Sequence, residues 1–265
     1  MIARKRFGQH FLEPAWVAKV IAAIRPSSDD DFIEIGPGRA ALTTPLAASV
    51  KRVVAFEIDR DLAAALRTSA PDNVTVVEGD FLQSDWLATH PPARPIRVAG
   101  NLPYNVASPI LFKLIDLFDG GVPMADATLM LQREVADRLL ANPSTKEYGV
   151  LTVLVRLSAS VERLLALPPG AFRPMPKVQS ALVRLRFHLP YPAVVNRAQF
   201  AAMVTAVFSR RRKTIENALL AFRPGDRGGI ALALTDADIR PDRRPETLDI
   251  AEFVRLSDAL GLPPT

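Results

Sequence analysis

The chain has 265 residues, with 33 Lys plus Arg against 28 Asp plus Glu (formal charge +5) and 49 % hydrophobic residues, enough for an α/β domain of common size and a smaller appendage. Cysteine is absent, which excludes disulfides and thiolate catalysis, and His10, His90 and His188 are too widely separated for a metal-ligand pattern, so no metal is expected. Residues 1–10 are basic without an apolar stretch behind them, and no window approaches the roughly 18 uninterrupted apolar residues of a membrane span, which predicts a cytoplasmic chain without membrane association.

Pro14 suits the first turn of a helix that carries Val17, Val20, Ile21 and Ile24 on one face and ends near Pro26. Apolar, β-branched runs at residues 32–35, 53–56, 74–77 and 96–99 predict four strands, with a helical stretch containing Leu42 and Leu46 between the first two. Strands separated by helix-length segments point to a doubly wound, mostly parallel sheet. Ile110, Leu111, Leu114 and Ile115 read as helix, and residues 128–131 return to strand. Residues 150–157 are rich in β-branched side chains yet place Val150, Leu151, Leu154 and Leu157 on one helical face; a helix is expected there. Residues 178–187 predict a strand with one exposed face. Pro190 and Pro192 mark a boundary, giving domains 1–191 and 192–265. The second is predicted to be all-helical. Phe200, Met203, Val204, Val207 and Phe208 recur at helical intervals, Arg210-Arg211-Arg212-Lys213 continues that helix, and Asp249 with Glu252 reads as the cap of a last helix.

Polar groups cluster at four predicted strand ends. Glu34-Ile35-Gly36-Pro37-Gly38 follows the first strand, and its glycines allow a tight turn that a ligand approaches closely. Pro37 and the alanines at 40 and 41 set it apart from a dinucleotide loop, and no Gly-Lys-Ser or Gly-Lys-Thr makes it a phosphate loop. A zwitterionic nucleoside fits better than a pyrophosphate. Glu57, about 20 residues on, is placed to accept from ribose hydroxyls. Asp80-Phe81 offers a carboxylate for an adenine amino group and a ring to pack beside it. Asn101-Leu102-Pro103-Tyr104 combines an amide, a rigid turn and an aromatic face, which suits a planar ring bearing an exocyclic amine.

With these strand ends the sequence resembles the class I S-adenosylmethionine-dependent methyltransferases, and within them the small-subunit ribosomal RNA adenine-N6 dimethyltransferase family. The resemblance covers nearly the whole chain: residues 7–12 (Phe-Gly-Gln-His-Phe-Leu), 101–104, 132–139, 172–181, 208–213 with Asn217, and 244–246. It implies a Rossmann-like fold with a mostly parallel central sheet and a small helical C-terminal domain. It further implies a donor site of Gln9, His10, Leu12, Gly36, Gly38, Glu57, Asp80, Phe81 and Asn101, in which His10 and Leu12 close over S-adenosylmethionine and Gly36, Glu57 and Asp80 meet its methionyl, ribose and adenine parts. The family commonly has glycine where Ala40 stands, which bears on the fine geometry of the loop.

Accepting the hydrogens of an adenine amine at the Asn101 amide oxygen and at a carbonyl near Leu102 favours a pyramidal nitrogen aimed at the donor methyl. Pro103 stiffens the turn and Tyr104 stacks on the base, while Phe172 either covers its other face or belongs to the core. Lys177 and Arg210, Arg211, Arg212 and Lys213, with Arg184 and Arg186, are candidate phosphate contacts, or a solvated surface. The resemblance implies N6,N6-dimethylation of two adjacent adenosines in a loop near the 3′ end of 16S rRNA, in an immature small ribosomal subunit, by a monomer. A large-subunit rRNA adenine methyltransferase and a noncatalytic assembly factor are the alternatives. Residues 172–181 and the helical tail are expected to argue against the first, and the intact strand-end residues against the second.

Overall fold

The computed structural model describes residues 10–261, and the chain packs as two compact units. The first comprises the residues up to Ala136 together with Ser160–Phe187; the second comprises Asp137–Ala159 and the chain from His188 onward. The second unit thus draws in a stretch well ahead of the boundary expected near residue 192.

The first unit opens with β1 (Phe11–Leu12) and α1 (Pro14–Ile24). Pro14 stands at the first helical position, where its missing N–H costs nothing, and Arg25 ends the helix in a left-handed conformation. There follow β2 (Asp31–Ile35), α2 (Thr43–Ala47), β3 (Arg52–Glu57), α3 (Arg60–Ser69), β4 (Val74–Glu78), α4 (Trp86–Thr89), β5 (Ile96–Asn101), α5 (Ala107–Asp119) and β6 (Met124–Gln132). The chain passes through α6 (Arg133–Leu140) and α7 (Val150–Arg156) and returns by β7 (Ala159–Leu167), β8 (Phe172–Arg173) and β9 (Ser180–Phe187). All the expected strands form, and residues 150–156 are helical as their apolar spacing indicates.

Seven strands make one sheet in the order β4-β3-β2-β5-β6-β9-β7. Pairing is parallel from β4 to β6, and β9 joins β6 antiparallel. Strands buried on both faces read as near-continuous apolar runs; β2 is buried at every position, Asp31 and Glu34 included. Phe32, Val53, Ala99, Met130 and Leu182 pack with Val20 and Ile24 of α1 and Leu46 of α2 in one core. β9 differs from its expected half-exposed state: its first six residues are buried, because β6 and β7 flank it.

That burial changes the reading of Arg184. Only 6 % exposed, it donates to the Ala23 and Ile24 carbonyls at the end of α1 and lies 3.6 Å from Asp126, so it serves the fold instead of a phosphate. Arg97 shares the task, gripping both oxygens of Asp126 at 3.0 and 2.9 Å, Asp30 at 2.8 Å and the Ile24 and Arg25 carbonyls. Two guanidiniums thus satisfy carbonyls that α1 leaves without intrahelical partners.

In the second unit, α8 (Arg197–Ser209), α9 (Ile215–Leu219), α10 (Arg227–Asp236) and α11 (Ile250–Leu260) bury Phe200, Met203, Val204, Val207, Ile230, Leu234 and Phe253 with Tyr148 and Val153. Asp249 and Glu252 form the expected reciprocal cap of α11, each carboxylate accepting the other residue's amide at 2.8 Å. The basic run does not continue α8. Residues 210–213 form a turn closed by Lys213 N–H on the Arg210 carbonyl at 2.8 Å, because the Thr214 side chain caps α9 and starts a new helix there. No helix among the described residues is long and apolar enough to cross a membrane.

Replacing Arg97 with alanine strands Asp126 and Asp30 in a poorly hydrated place. The expected cost is about 3–5 kcal/mol in urea unfolding; a loss below about 1 kcal/mol would make the network peripheral.

Candidate active site at the carboxyl ends of the strands

β2 and β5 are adjacent and parallel, with Ile35 opposite Gly100, yet the chain leaves them toward opposite sides of the sheet order. Such a switch point opens a crevice beyond the strand ends. The residues that follow, Gly36 on one strand and Asn101 ending the other, both line a cleft that also takes in His10, Leu12, Gly38, Glu57, Leu102, Pro103 and Tyr104. The close approach is possible because position 100 has no side chain: a Cβ there would stand 2.6 Å from the Ile35 carbonyl oxygen.

The glycine loop is held from below by Glu57. Its Oε2 accepts from the Gly38 amide and its Oε1 from the Asp59 amide, both at 2.9 Å, and Asp59 in turn caps α3. Burial pushes the Glu57 carboxyl above its ordinary range, against the pull of the Asp59 and Gly38 amides. Gly38 adopts φ +57°, and a side chain there would press on the Phe11 ring at 3.1 Å. Ala40 sits in the same left-handed region, at φ 62°, a conformation that glycine takes freely and alanine adopts at a cost of roughly 1 kcal/mol. The loop thus keeps its left-handed shape with alanine where glycine is expected.

At the Asn101-Leu102-Pro103-Tyr104 turn, the Leu102 amide donates to the Met130 carbonyl at 3.2 Å and Val106 N–H to the Pro103 carbonyl at 3.1 Å, fixing the turn into α5. The Asn101 Nδ2 donates to the His10 main-chain oxygen at 2.6 Å. Tyr104 stacks against the His10 ring, centroids 5.5 Å apart, and its hydroxyl pairs with Ser180 Oγ at 3.1 Å.

Not every expected residue joins the cleft. Gln9 lies outside the described residues. Asp80 turns its Oδ1 to the Leu82 amide at 2.9 Å, and Phe81 is buried edge-on against Phe56. Lys113 ties their loop down through the Leu82 and Ser84 carbonyls. Neither Asp80 nor Phe81 lines the cleft. Phe172 is 1 % exposed and packs in the core with Leu12 and Leu182; as the partner of Leu12 in the β1–β8 pair, it is a core side chain and not a cover for a base. Lys177, Arg210, Arg212 and Lys213 are exposed, whereas Arg211 is bound to Glu246 at 3.3 Å and to the Lys146 carbonyl at 3.0 Å. Arg186 pairs with Glu162 at 3.1 Å. Among the described residues no group of three or more His, Cys, Asp or Glu is placed to hold a metal ion.

Glu34 is a site residue that the sequence pattern leaves without a role. It lines the cleft, is 2 % exposed, and its Oε2 has no hydrogen-bond partner. Burial raises its carboxyl to about 7, the Thr43 hydroxyl opposes this and the neighbouring Glu57 adds to it. An acid within an apolar strand just ahead of a glycine loop is the signal that marks it. A buried, unpartnered acceptor, a second carboxylate and a glycine turn open to close approach fit a donor bearing both a cationic centre and ribose hydroxyls. Because the folded value lies above the ordinary one of 4.5, Glu34 favours the fold at low pH and loses that contribution as pH rises from about 4.5 through about 7. Without donor, raising the pH from 5 to 8 is expected to destabilise the wild type relative to Glu34→Gln by on the order of 3 kcal/mol. Equal pH slopes in urea titrations would contradict this.

Comparison with known proteins agrees with the geometry. The family model described as ribosomal RNA adenine dimethylase matches residues 2–260. The ribosomal RNA small subunit methyltransferase A of Acinetobacter baylyi is 42 % identical over 262 residues, covering 97 % of this chain and 92 % of that protein. A dimethyladenosine transferase from Plasmodium falciparum superposes with a TM-score of 0.76 at 26 % identity, over 93 % of this chain and 96 % of the other. The 23S rRNA methyltransferase ErmE gives 0.68 at 28 % identity, over 95 % and 100 %. That last match spans the helical tail too, so the tail does not separate large-subunit from small-subunit enzymes as its presence suggested. The chain belongs to the ribosomal RNA adenine dimethylase family, and is a class I methyltransferase that uses S-adenosylmethionine to dimethylate adenine N6 in rRNA.

Proposed function

We propose that the substrate is a pair of adjacent adenosines in a loop near the 3′ end of 16S rRNA, within an immature small ribosomal subunit, and that a monomer acts on it in the cytoplasm. The observation that carries the chemistry is the placing of Asn101 beside the glycine loop at one switch point. The small-subunit address is supported by the 42 % identity to a protein named for that subunit, against 28 % for the 23S enzyme.

In this reading Gly36, Gly38 and Glu57 hold the donor, with His10 and Leu12 along its side and Gln9 and the Asp80-Phe81 loop completing the site. Asp80 reaches the adenine of the donor by exchanging its bond to the Leu82 amide. When bound, the donor supplies an electrophilic methyl group on a sulfonium. The chain's own work is alignment. Asn101 accepts from the target amine, so that the nitrogen lone pair is freed from the ring and points inward, and Tyr104 stacks on the base. Pro103 keeps the turn rigid. No general base is required, since the amine loses its proton after it has been alkylated, and proximity supplies much of the rate. Lys177, Arg210, Arg212 and Lys213 neutralise phosphates, positioning the RNA without reading its sequence. Arg211 shapes the turn that presents its neighbours. The division of labour is therefore a methyltransferase part, residues 1–191 in sequence terms, and a helical rRNA-binding part at 192–265.

The test uses labelled S-adenosylmethionine with small subunits from an unmodified source, large subunits and DNA. Transfer to adjacent adenosines of the small subunit, two methyls on each, is expected; signal confined to large subunits or DNA would overturn the assignment. Asn101→Ala is expected to lower transfer by at least about 100-fold while small-subunit binding stays within about threefold. Equal losses in both assays would place Asn101 in structural support.

A further inference from the structure

We propose that His10 is the positioning residue of the amine clamp: its main-chain oxygen decides which end of the Asn101 amide meets the substrate, and its ring seats Tyr104. The inference rests on Asn101 being the acceptor for the target amine, and it gives His10 a task distinct from covering the donor.

A main-chain oxygen only accepts hydrogen bonds. The His10 oxygen lies 2.6 Å from Asn101 Nδ2, so the NH₂ end of the amide is committed to it. Turning the amide over would set two oxygens against each other at that distance. Oδ1 is thereby left as the end offered to a donor of hydrogen bonds, which is what an exocyclic amine is. Without this contact, the two amide orientations differ little in energy, and one of them presents N–H to N–H.

The ring supplies the second part. It stacks on Tyr104 with centroids 5.5 Å apart and planes 26° from parallel, and so holds the tyrosine ring in place where it lines the cleft. Its own place is set by Nδ1, which donates to the Pro174 carbonyl at 2.7 Å. Tyr104 is tied to the same stretch of chain through Ser180 Oγ. Residues just after His10 are fixed by β1–β8 pairing, Phe11 with Arg173 and Leu12 with Phe172, and by Glu13 N–H on the Ala171 carbonyl at 2.9 Å. The buried Phe172 thus contributes to the clamp from a distance, by anchoring the strand that carries His10.

Two substitutions separate the ring stack from the Nδ1 bond to the Pro174 carbonyl. His10→Asn keeps a donor near the Nδ1 position and removes the stack; His10→Phe keeps the stack and removes the donor. Single-turnover and steady-state methyl transfer to unmodified small subunits is compared with S-adenosylmethionine affinity measured by calorimetry. The expected result is a kcat about tenfold lower in each and about 100-fold lower in His10→Ala, with any rise in donor Kd smaller than the fall in kcat in all three. A wild-type kcat in His10→Asn and His10→Phe, or a loss confined to donor Kd, overturns the proposal; the latter makes His10 a cover for the donor. These two variants decide the matter even if His10→Ala melts early. If wild-type protein methylates large subunits instead, the substrate assignment fails on its own, and the same kcat comparison on that RNA decides the role of His10.

Discussion

The parallel pairing of β2 with β5, in the register that sets Ile35 opposite Gly100, is the constraint on which the site depends. It is a backbone fact. The missing side chain at position 100 lets the two strands run side by side up to their ends, where any Cβ would meet the Ile35 carbonyl. From there the glycine loop turns one way and the Asn101 turn the other, and the proposed function has the donor and the amine share the crevice between them. A slip by one residue would send Asn101 to the other face of the sheet. The burial of β2 at every position resists such a slip.

Around that crevice the protein uses carboxylates and amides for different ends. Glu57 is spent partly on the protein itself, since it pins Gly38 and the start of α3 through their amides, and its remaining lone pairs are what a ribose can use. Glu34 is the reverse case, buried with an oxygen unused. In the proposed function Asn101 offers a neutral amide oxygen as acceptor to a neutral amine. The proposed chemistry therefore rests on the placement of acceptors more than on proton transfer.

Much of this is legible in the sequence because it follows from local pattern. β-branched runs broken at regular intervals mark the strands, and the polar residues at their ends must share one rim once the sheet is parallel. What is not legible comes from tertiary context. Arg184 in a basic, half-polar strand looks like a surface residue, and only the neighbouring β6 and β7 with the carbonyls of α1 make it internal. Residues 159–167, Ala-Ser-Val-Glu-Arg-Leu-Leu-Ala-Leu, have helix-forming composition yet form the edge strand β7, a case of sheet completion overriding propensity. The two-residue strands β1 and β8 are too short to leave a periodic signal, and they hide the role of Phe172 in the core. The run at 210–213 looks helical because its flanks are helical; the Thr214 cap is the stop signal that interrupts it.

The central claim of the proposed function is that donor loop and amine clamp form one site, and its most direct measurement is an NMR titration of the full chain with S-adenosylmethionine, following the Gly36 and Gly38 backbone amides together with the side-chain amide of Asn101. All three are predicted to respond along a single saturation curve, with the Asn101 NH₂ protected from solvent exchange by its bond to His10. A glycine-loop response with the Asn101 amide unmoved, or moving with a different affinity, would contradict the shared site.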